Sequence, residues 1–404
     1  MASRIVVVGG GFSGLWAAAS AARARAAQGK DFEIVLVSPD PFHTIRVRCY
    51  ETDLAPLRLP LDATLAPIGV YRLQARVTGI DATRHILLRS GRDGEDDRLE
   101  YDRLILAPGS ALTLPPVPIA GQTFDVDTYD GAARLDTHLA ALKNLPPGEA
   151  THTAVVIGGG LVGIEVACEL PERLRGLFAD DRPVRVVLID RGDVGADMGE
   201  GAQIVRDALA RVGVDVRSRT VLAGVEADGV ALGDGTHIPA ATVIFATGMR
   251  ASPLVSTLGV TCDTLGRVPV DAFMQVEGLA DIYAAGDCAS ASADAAGHKT
   301  VMSCQHARPM GRLAGHNAAC DLMGRPEERI AFSAPDYVTI LDLGPAGALY
   351  TEGWERGRLV ACGSEAKAIK QMINGTRIYP PRAPDREAVF EAATPVIQSR
   401  PAAH

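Results

Sequence analysis

The segment Ile5-Val-Val-Val-Gly9-Gly-Gly11-Phe-Ser-Gly14 opens the chain, and Ala154-Val-Val-Ile-Gly158-Gly-Gly160-Leu-Val-Gly163 restates it in the middle. Each is a short apolar run, a glycine turn and the start of a helical stretch, Leu15–Ala27 in the first and Ile164–Leu170 onward in the second. A second apolar run follows in both, Phe32–Val37 and Val184–Asp190, and later a third, Leu104-Ile-Leu-Ala-Pro-Gly109 and Val243-Ile-Phe-Ala-Thr-Gly248. Strand, turn, helix, strand is the unit of a parallel doubly wound sheet. The pattern predicts an α/β chain with two Rossmann-like dinucleotide-binding domains. In such a turn the first glycine permits the sharp bend and the second admits the backbone to a pyrophosphate. The third lets helix and strand close up, with the diphosphate at the helix N-terminus. One match is weak evidence, but two in the right strand–helix context are strong.

Working outward, Ile282-Tyr-Ala-Ala-Gly-Asp287 is a further strand with a polar end, and helical spacing returns through Gly311–Leu322. The proline-rich Leu114–Pro118 and the turn-rich Gly259–Arg267 read as crossings between domains. The second unit is therefore expected as an insertion: residues 1–118 and 267–330 form one domain and 119–266 the other. Residues 331–404 read as a small C-terminal α+β region. It has strands at Tyr337–Leu343, Ala348–Glu352 and Arg358–Cys362, a polar helix at Glu365–Ile373, and an extended surface tail from Tyr379.

Composition agrees with a globular protein of two or three domains: 404 residues, 47% hydrophobic and 22% charged. A net charge of −9 argues against nucleic acid or an anionic membrane as a bulk partner. The seven cysteines are dispersed, with no C-x-x-C pair and no zinc spacing, which suits reduced thiols and implies no metal. Strand Ile5–Val8 follows Met1-Ala-Ser-Arg4 directly, and no apolar run approaches the roughly 20 residues a bilayer requires. A cytoplasmic location is expected.

The strand ends distinguish the two units. Asp190 closes the second, placed to bond adenosine ribose hydroxyls and to repel a 2′-phosphate, while Arg191 beside it softens that preference. The first strand ends Val37-Ser38-Pro39-Asp40, with a serine where a carboxylate is expected. Either Ser38 makes a weaker ribose contact or Asp40 reaches back.

Gly9/Gly11/Gly14, Tyr101–Ser110, Gly158–Glu165, Ala246-Thr-Gly248 and Tyr283–Ala289 together resemble the two-dinucleotide flavoproteins, most closely type II NADH dehydrogenases. The resemblance covers most of residues 4–325 and implies FAD and NAD(P)H, with NADH preferred, as cofactors. It places FAD on the first turn, with contacts from Gly9, Gly11, Phe12, Ser13, Gly14, Ser38, Arg46, Val77, Ala107, Gly109, Gly286 and Asp287. The nicotinamide dinucleotide falls to Gly158, Gly160, Gly163, Asp190 and Gly248. Glu165 stands where the family sets a carboxylate near the nicotinamide, and Gln305 in Ser303–Met310 where it sets a glutamine on the flavin and quinone side. The family's second glutamine is here Pro309, tolerated if it falls in a first helical turn. The amphipathic C-terminal helices that lie on membranes in such proteins have no counterpart, so no stable membrane anchor is expected. The small apolar face of Glu365–Ile373 would instead pack on the core or on a second copy as a homodimer.

The implied chemistry is hydride transfer from NADH to FAD and onward transfer to a small acceptor, a quinone or O2. Three alternatives stand beside it. Disulfide-reducing relatives carry Cys-x4-Cys, but here Cys49 is followed by Leu54, leaving only a single-cysteine NADH oxidase with a Cys49 thiolate stabilised by Arg46 and Arg48. The others are a reductase for a ferredoxin-type protein and a redox sensor or scaffold resembling apoptosis-inducing flavoproteins.

Overall fold

The computed structural model describes residues 3–90, 96–178 and 182–396. The elements that position the site begin with strand β1 (Arg4–Val8), helix α1 (Phe12–Ala27), and strands β2 (Glu33–Ser38), β3 (Tyr71–Gln74) and β4 (Arg103–Leu106). A second series follows: strands β5 (Phe124–Asp125) and β6 (Thr153–Ile157), helix α2 (Leu161–Arg175), and strands β7 (Arg185–Ile189), β8 (Val214–Arg217) and β9 (Thr242–Phe245). Then come β10 (Ile282–Ala284), helix α3 (Cys304–Leu322) and the C-terminal elements: strands β11 (Val338–Asp342), β12 (Ala348–Glu352) and β13 (Arg358–Cys362), and helices α4 (Gly363–Met372) and α5 (Arg386–Ala392).

Two five-stranded parallel sheets result, in the orders β10-β4-β1-β2-β3 and β5-β9-β6-β7-β8. In each the strand that feeds the glycine turn is central, so both its faces are covered. Ile5, Val6, Val7 and Ala154, Val155, Val156 are accordingly without exposed surface. Unbroken apolar runs are what a strand covered on both faces requires. Each isoleucine or valine among them contributes on the order of 1.5–3 kcal/mol by leaving water. The chain completes the second sheet before β10 returns to pair with β4 of the first.

Helices α1 and α3 cross at van der Waals contact through small residues. A Cβ at Gly311 would lie 2.2 Å from the Ser13 carbonyl oxygen, and one at Gly315 2.0 Å from that of Ala17. The alanine-rich composition of α1 is thus a packing requirement. It brings the N-termini of both helices, at Phe12 and Cys304, to the same cleft.

The C-terminal antiparallel sheet β11-β12-β13 with α4 covers α2. Two expectations need correcting. The stretch after Tyr379 is not simply extended: α5 packs back toward α1, with Val389 and Ala393 fully buried, because its few apolar residues share one face. The end of that tail, 397–404, lies outside the described residues. Pro309 sits in the second turn of α3, not the first. Among the described residues no helix is long and apolar enough to cross a membrane.

Candidate functional site

A single cleft of about 1500 Å³ runs between the two sheets and is lined by both glycine turns. The turns are nearly identical in conformation. Gly9 has φ +108° and Gly158 φ +109°, a region open to glycine, and a Cβ on either would strike the carbonyl oxygen of Ala107 or Ala246, at 2.2 Å and 2.3 Å. A Cβ at Gly14 or Gly163 would lie 1.9 Å or 1.7 Å from the Gly9 or Gly158 oxygen. Gly11 and Gly160, by contrast, cap α1 and α2 and have no neighbouring atom where a Cβ would stand. That open space, over unpaired helix N–H groups, is where a diphosphate fits.

The bracing differs between the turns. At the first, the carbonyl of Gly10 meets His43 Nδ1 at 3.0 Å, and Phe12 meets the same imidazole edge-on. Burial pushes His43 down to about 4, so the ring is neutral. At the second, Asp190 accepts from the Gly159 N–H at 2.7 Å and from the Gly192 N–H at 2.6 Å. Its carboxylate is held at the strand end, where it lines the cleft beside the exposed Arg191.

Between the turns lies a polar junction. Arg46 is ion-paired to Asp127, bonds Ser110 Oγ at 3.0 Å and lies 3.7 Å from Asp287; Ser110 donates to Asp287 at 2.6 Å. All four residues line the cleft, as do Ser13, Ala107, Gly109 and Gly248. Gly286 (φ +78°) leaves room for the Ser13 hydroxyl, which would be 2.5 Å from a Cβ there. Ser38 and Asp40 also line the cleft, and Asp40 is tied to Arg58 and to the Phe42 N–H. Val77 packs against the first core, and its neighbour Arg76 reaches the cleft.

Three residues assigned to chemistry do not line the cleft. Glu165 is buried beneath the C-terminal sheet, where it takes the Lys370 ammonium at 2.7 Å and the Asp342 N–H at 3.1 Å. Burial raises its carboxyl even against the lysine. Its position, one turn below Leu161 and Val162 of the cleft wall, puts it under the covering layer and not toward a dinucleotide. Gln305 turns outward to the Asp336 carbonyl at 3.1 Å. Cys49 is buried, and burial pushes its thiol up to about 12, because Arg46 is committed to acids and Arg48 to Glu51 and Tyr379. A Cys49 thiolate has no geometric support. Every cysteine is a free thiol.

A second cavity, of about 400 Å³, lies behind this wall among Arg48, Glu51, Asp342, Lys367 and Lys370. Tyr50, which lines the main cleft, donates to Asp342 at 3.3 Å, and Asp342 accepts from Lys367 at 2.5 Å. Tyr50, Asp127, Asp342, Lys367, Lys370 and Arg76 escaped the sequence reading. The one available signal was in Glu365–Ile373, where Lys367 and Lys370 share a helical face with Ala366 and Ile369.

A cleft built on two diphosphate cradles, with open glycines at both, defines a protein of two dinucleotides. The family of pyridine nucleotide-disulphide oxidoreductases matches this chain over residues 3–311, and the chain belongs to it. It is an FAD-dependent oxidoreductase that uses NADH. It is 48% identical over 408 residues to an NADH dehydrogenase-like protein of Mycobacterium tuberculosis, covering 99% of this chain and 100% of that one. It is 29% identical over 340 residues to demethylphylloquinone reductase of Synechocystis, covering 80% of each. The structure of NDH2 from Plasmodium falciparum superposes with a TM-score of 0.79 at 12% identity, covering 97% of this chain and 98% of that one, a likeness of fold.

Proposed function

We propose that the first turn holds FAD, that the second holds NADH, and that the electrons pass to a quinone: NADH + H⁺ + quinone → NAD⁺ + quinol. When bound, FAD supplies the relay between a two-electron donor and the acceptor. The chain's residues do the rest. Gly11 and Gly160 admit the diphosphates to helix N-termini, Asp190 orients the adenosine ribose of NADH, and the Arg46–Asp127–Ser110–Asp287 junction holds the facing ends in register.

The observation that carries the choice of acceptor is Tyr50. Tyr50 lines the cleft, and its hydroxyl joins the Asp342 carboxylate, which takes Lys367 at the second cavity. Quinone reduction consumes two protons, whereas a one-electron protein carrier consumes none. A chain of ionisable groups from a charged cavity to the cleft wall suits the first. Tyr50 would yield its proton to the acceptor and be resupplied through Asp342 from the Lys367 ammonium at the second cavity. The relatives named for quinone and NADH chemistry support the same reading.

The test is anaerobic stopped-flow mixing with NADH, then with menadione, a ubiquinone analogue or O2. Tyr50→Phe should slow quinone reduction on the order of 10²-fold while leaving bleaching by NADH and discharge by ferricyanide intact. Equal rates with the quinones in Tyr50→Phe and the parent protein would remove the proton argument. Faster discharge by O2 than by any quinone would remove the acceptor.

A further inference from the structure

The adenosine end of the first site lacks what the second has. In the second, the carboxylate of Asp190 stands at the strand end and lines the cleft, each oxygen accepting a backbone N–H. In the first, Ser38 occupies the corresponding end of β2, and its hydroxyl is tucked over the turn, 3.1 Å from where a Gly10 Cβ would be. Asp40, the remaining candidate, spends one oxygen on the Phe42 N–H and the other on Arg58. Neither sets a carboxylate on the strand end itself.

The adjacent strand supplies a cation instead. Gln74 pairs in register with Ser38, the Ala75 N–H donates to the Ser38 carbonyl, and two residues past that pair Arg76 projects into the cleft. Its guanidinium is exposed and has no hydrogen-bond or ion-pair partner among the described residues. Most other arginines of the cleft wall are committed: Arg46 to Asp127, and Arg58 to Asp40 and Asp130. The planar fork of a guanidinium can both donate to ribose or adenine acceptors and lie against a flat base.

We propose that Arg76 is the residue that holds the adenosine end of FAD, in place of the strand-end carboxylate. The inference rests on the assignment of FAD to the first turn. Arg191 is the natural control, since it is the other exposed arginine of the same cleft without a partner among the described residues, and it stands at the second strand end.

Flavin-stripped protein is titrated with FAD by calorimetry, and holoprotein with NADH. Arg76→Ala should raise the FAD Kd about tenfold, as for loss of a charged hydrogen bond, with NADH affinity within about twofold of the parent. Arg191→Ala should leave the FAD Kd within about twofold. An FAD Kd unchanged in Arg76→Ala overturns the inference, as does an equal rise in both variants, which would mark a diffuse charge effect. A parent protein that takes up no FAD would overturn the assignment of the site itself, a distinct result.

Discussion

The two glycine turns have the same backbone and opposite surroundings. The first is braced by a neutral imidazole on the Gly10 carbonyl, the second by a carboxylate on the Gly159 amide. Two residues past the third glycine, α1 carries Trp16, with the guanidiniums of Arg308 and Arg312 5.2 Å and 5.0 Å from its ring centre. The equivalent place on α2 carries Glu165, under the Lys370 ammonium. Backbone sterics leave little choice in the turn, since any side chain at Gly9 or Gly158 strikes the next strand. The surroundings face no such limit, and there the two turns differ. Repetition thus reports a shared backbone shape, and the deviations are where the proposed assignment of FAD and NADH can be tested.

The largest way to break the symmetry is to block one turn at a time. Gly9→Val should give protein without retained flavin, and Gly158→Val a yellow protein that NADH no longer bleaches, each loss exceeding about 100-fold because backbone must move. Absorbance after gel filtration and an anaerobic NADH titration check both. If Gly158→Val instead loses flavin while Gly9→Val keeps it, the assignment is reversed.

Next is the pair that only the second helix has. Lys370→Met strands a buried carboxylate and should cost about 3 kcal/mol in urea unfolding, whereas Lys370→Met with Glu165→Leu should recover most of it. A double variant no better than the single would show that the pair is not the source of the loss.

The third concerns pH. His43 is held near 4 in the fold and titrates near 6.5 when unfolded, so the unfolded chain takes up the proton first. Its contribution is complete above about pH 6.5 and is lost as pH falls toward 4, by roughly 2 kcal/mol at pH 5. Urea midpoints for the parent protein and His43→Gln should converge on acidification; parallel curves from pH 7 to 5 would place the acid sensitivity elsewhere.

The smallest effect sharpens the second strand end. Asp190→Asn removes the repulsion of a 2′-phosphate next to Arg191 and should shift the NADH-to-NADPH ratio of kcat/KM toward NADPH by about tenfold. An unchanged ratio would show that Asp190 serves only to brace Gly159.

Much of this is legible in the amino-acid sequence. The repeated turns, the third strands running into Gly109 and Gly248, and Asp190 at a strand end are local patterns, each carried by a few consecutive residues. The side chains of Glu165, Gln305 and Cys49 are less legible. A helical residue's direction is set by its own helix, but whether it meets a cleft or a covering layer depends on elements far along the chain. Glu165 faces Lys370, 205 residues away; Tyr50 reaches Asp342, 292 residues away. The tail's helix is hidden for a similar reason: proline and charge in Tyr379–Asp385 suggest an extended chain, while Val389 and Ala393 fold back on a core that the tail itself does not specify.

From the chain alone came the class: a doubly wound α/β protein of two dinucleotides, because the glycine spacing encodes a backbone shape that few other folds need. The tertiary structure alone decided what each acid is paired with. Asp40 and Asp190 both line the cleft, yet one is paired with the Arg58 side chain and the other only with backbone amides of its own turn. A charge's role depends on what surrounds it within a few ångströms, and that is set by packing between segments that the sequence order keeps apart.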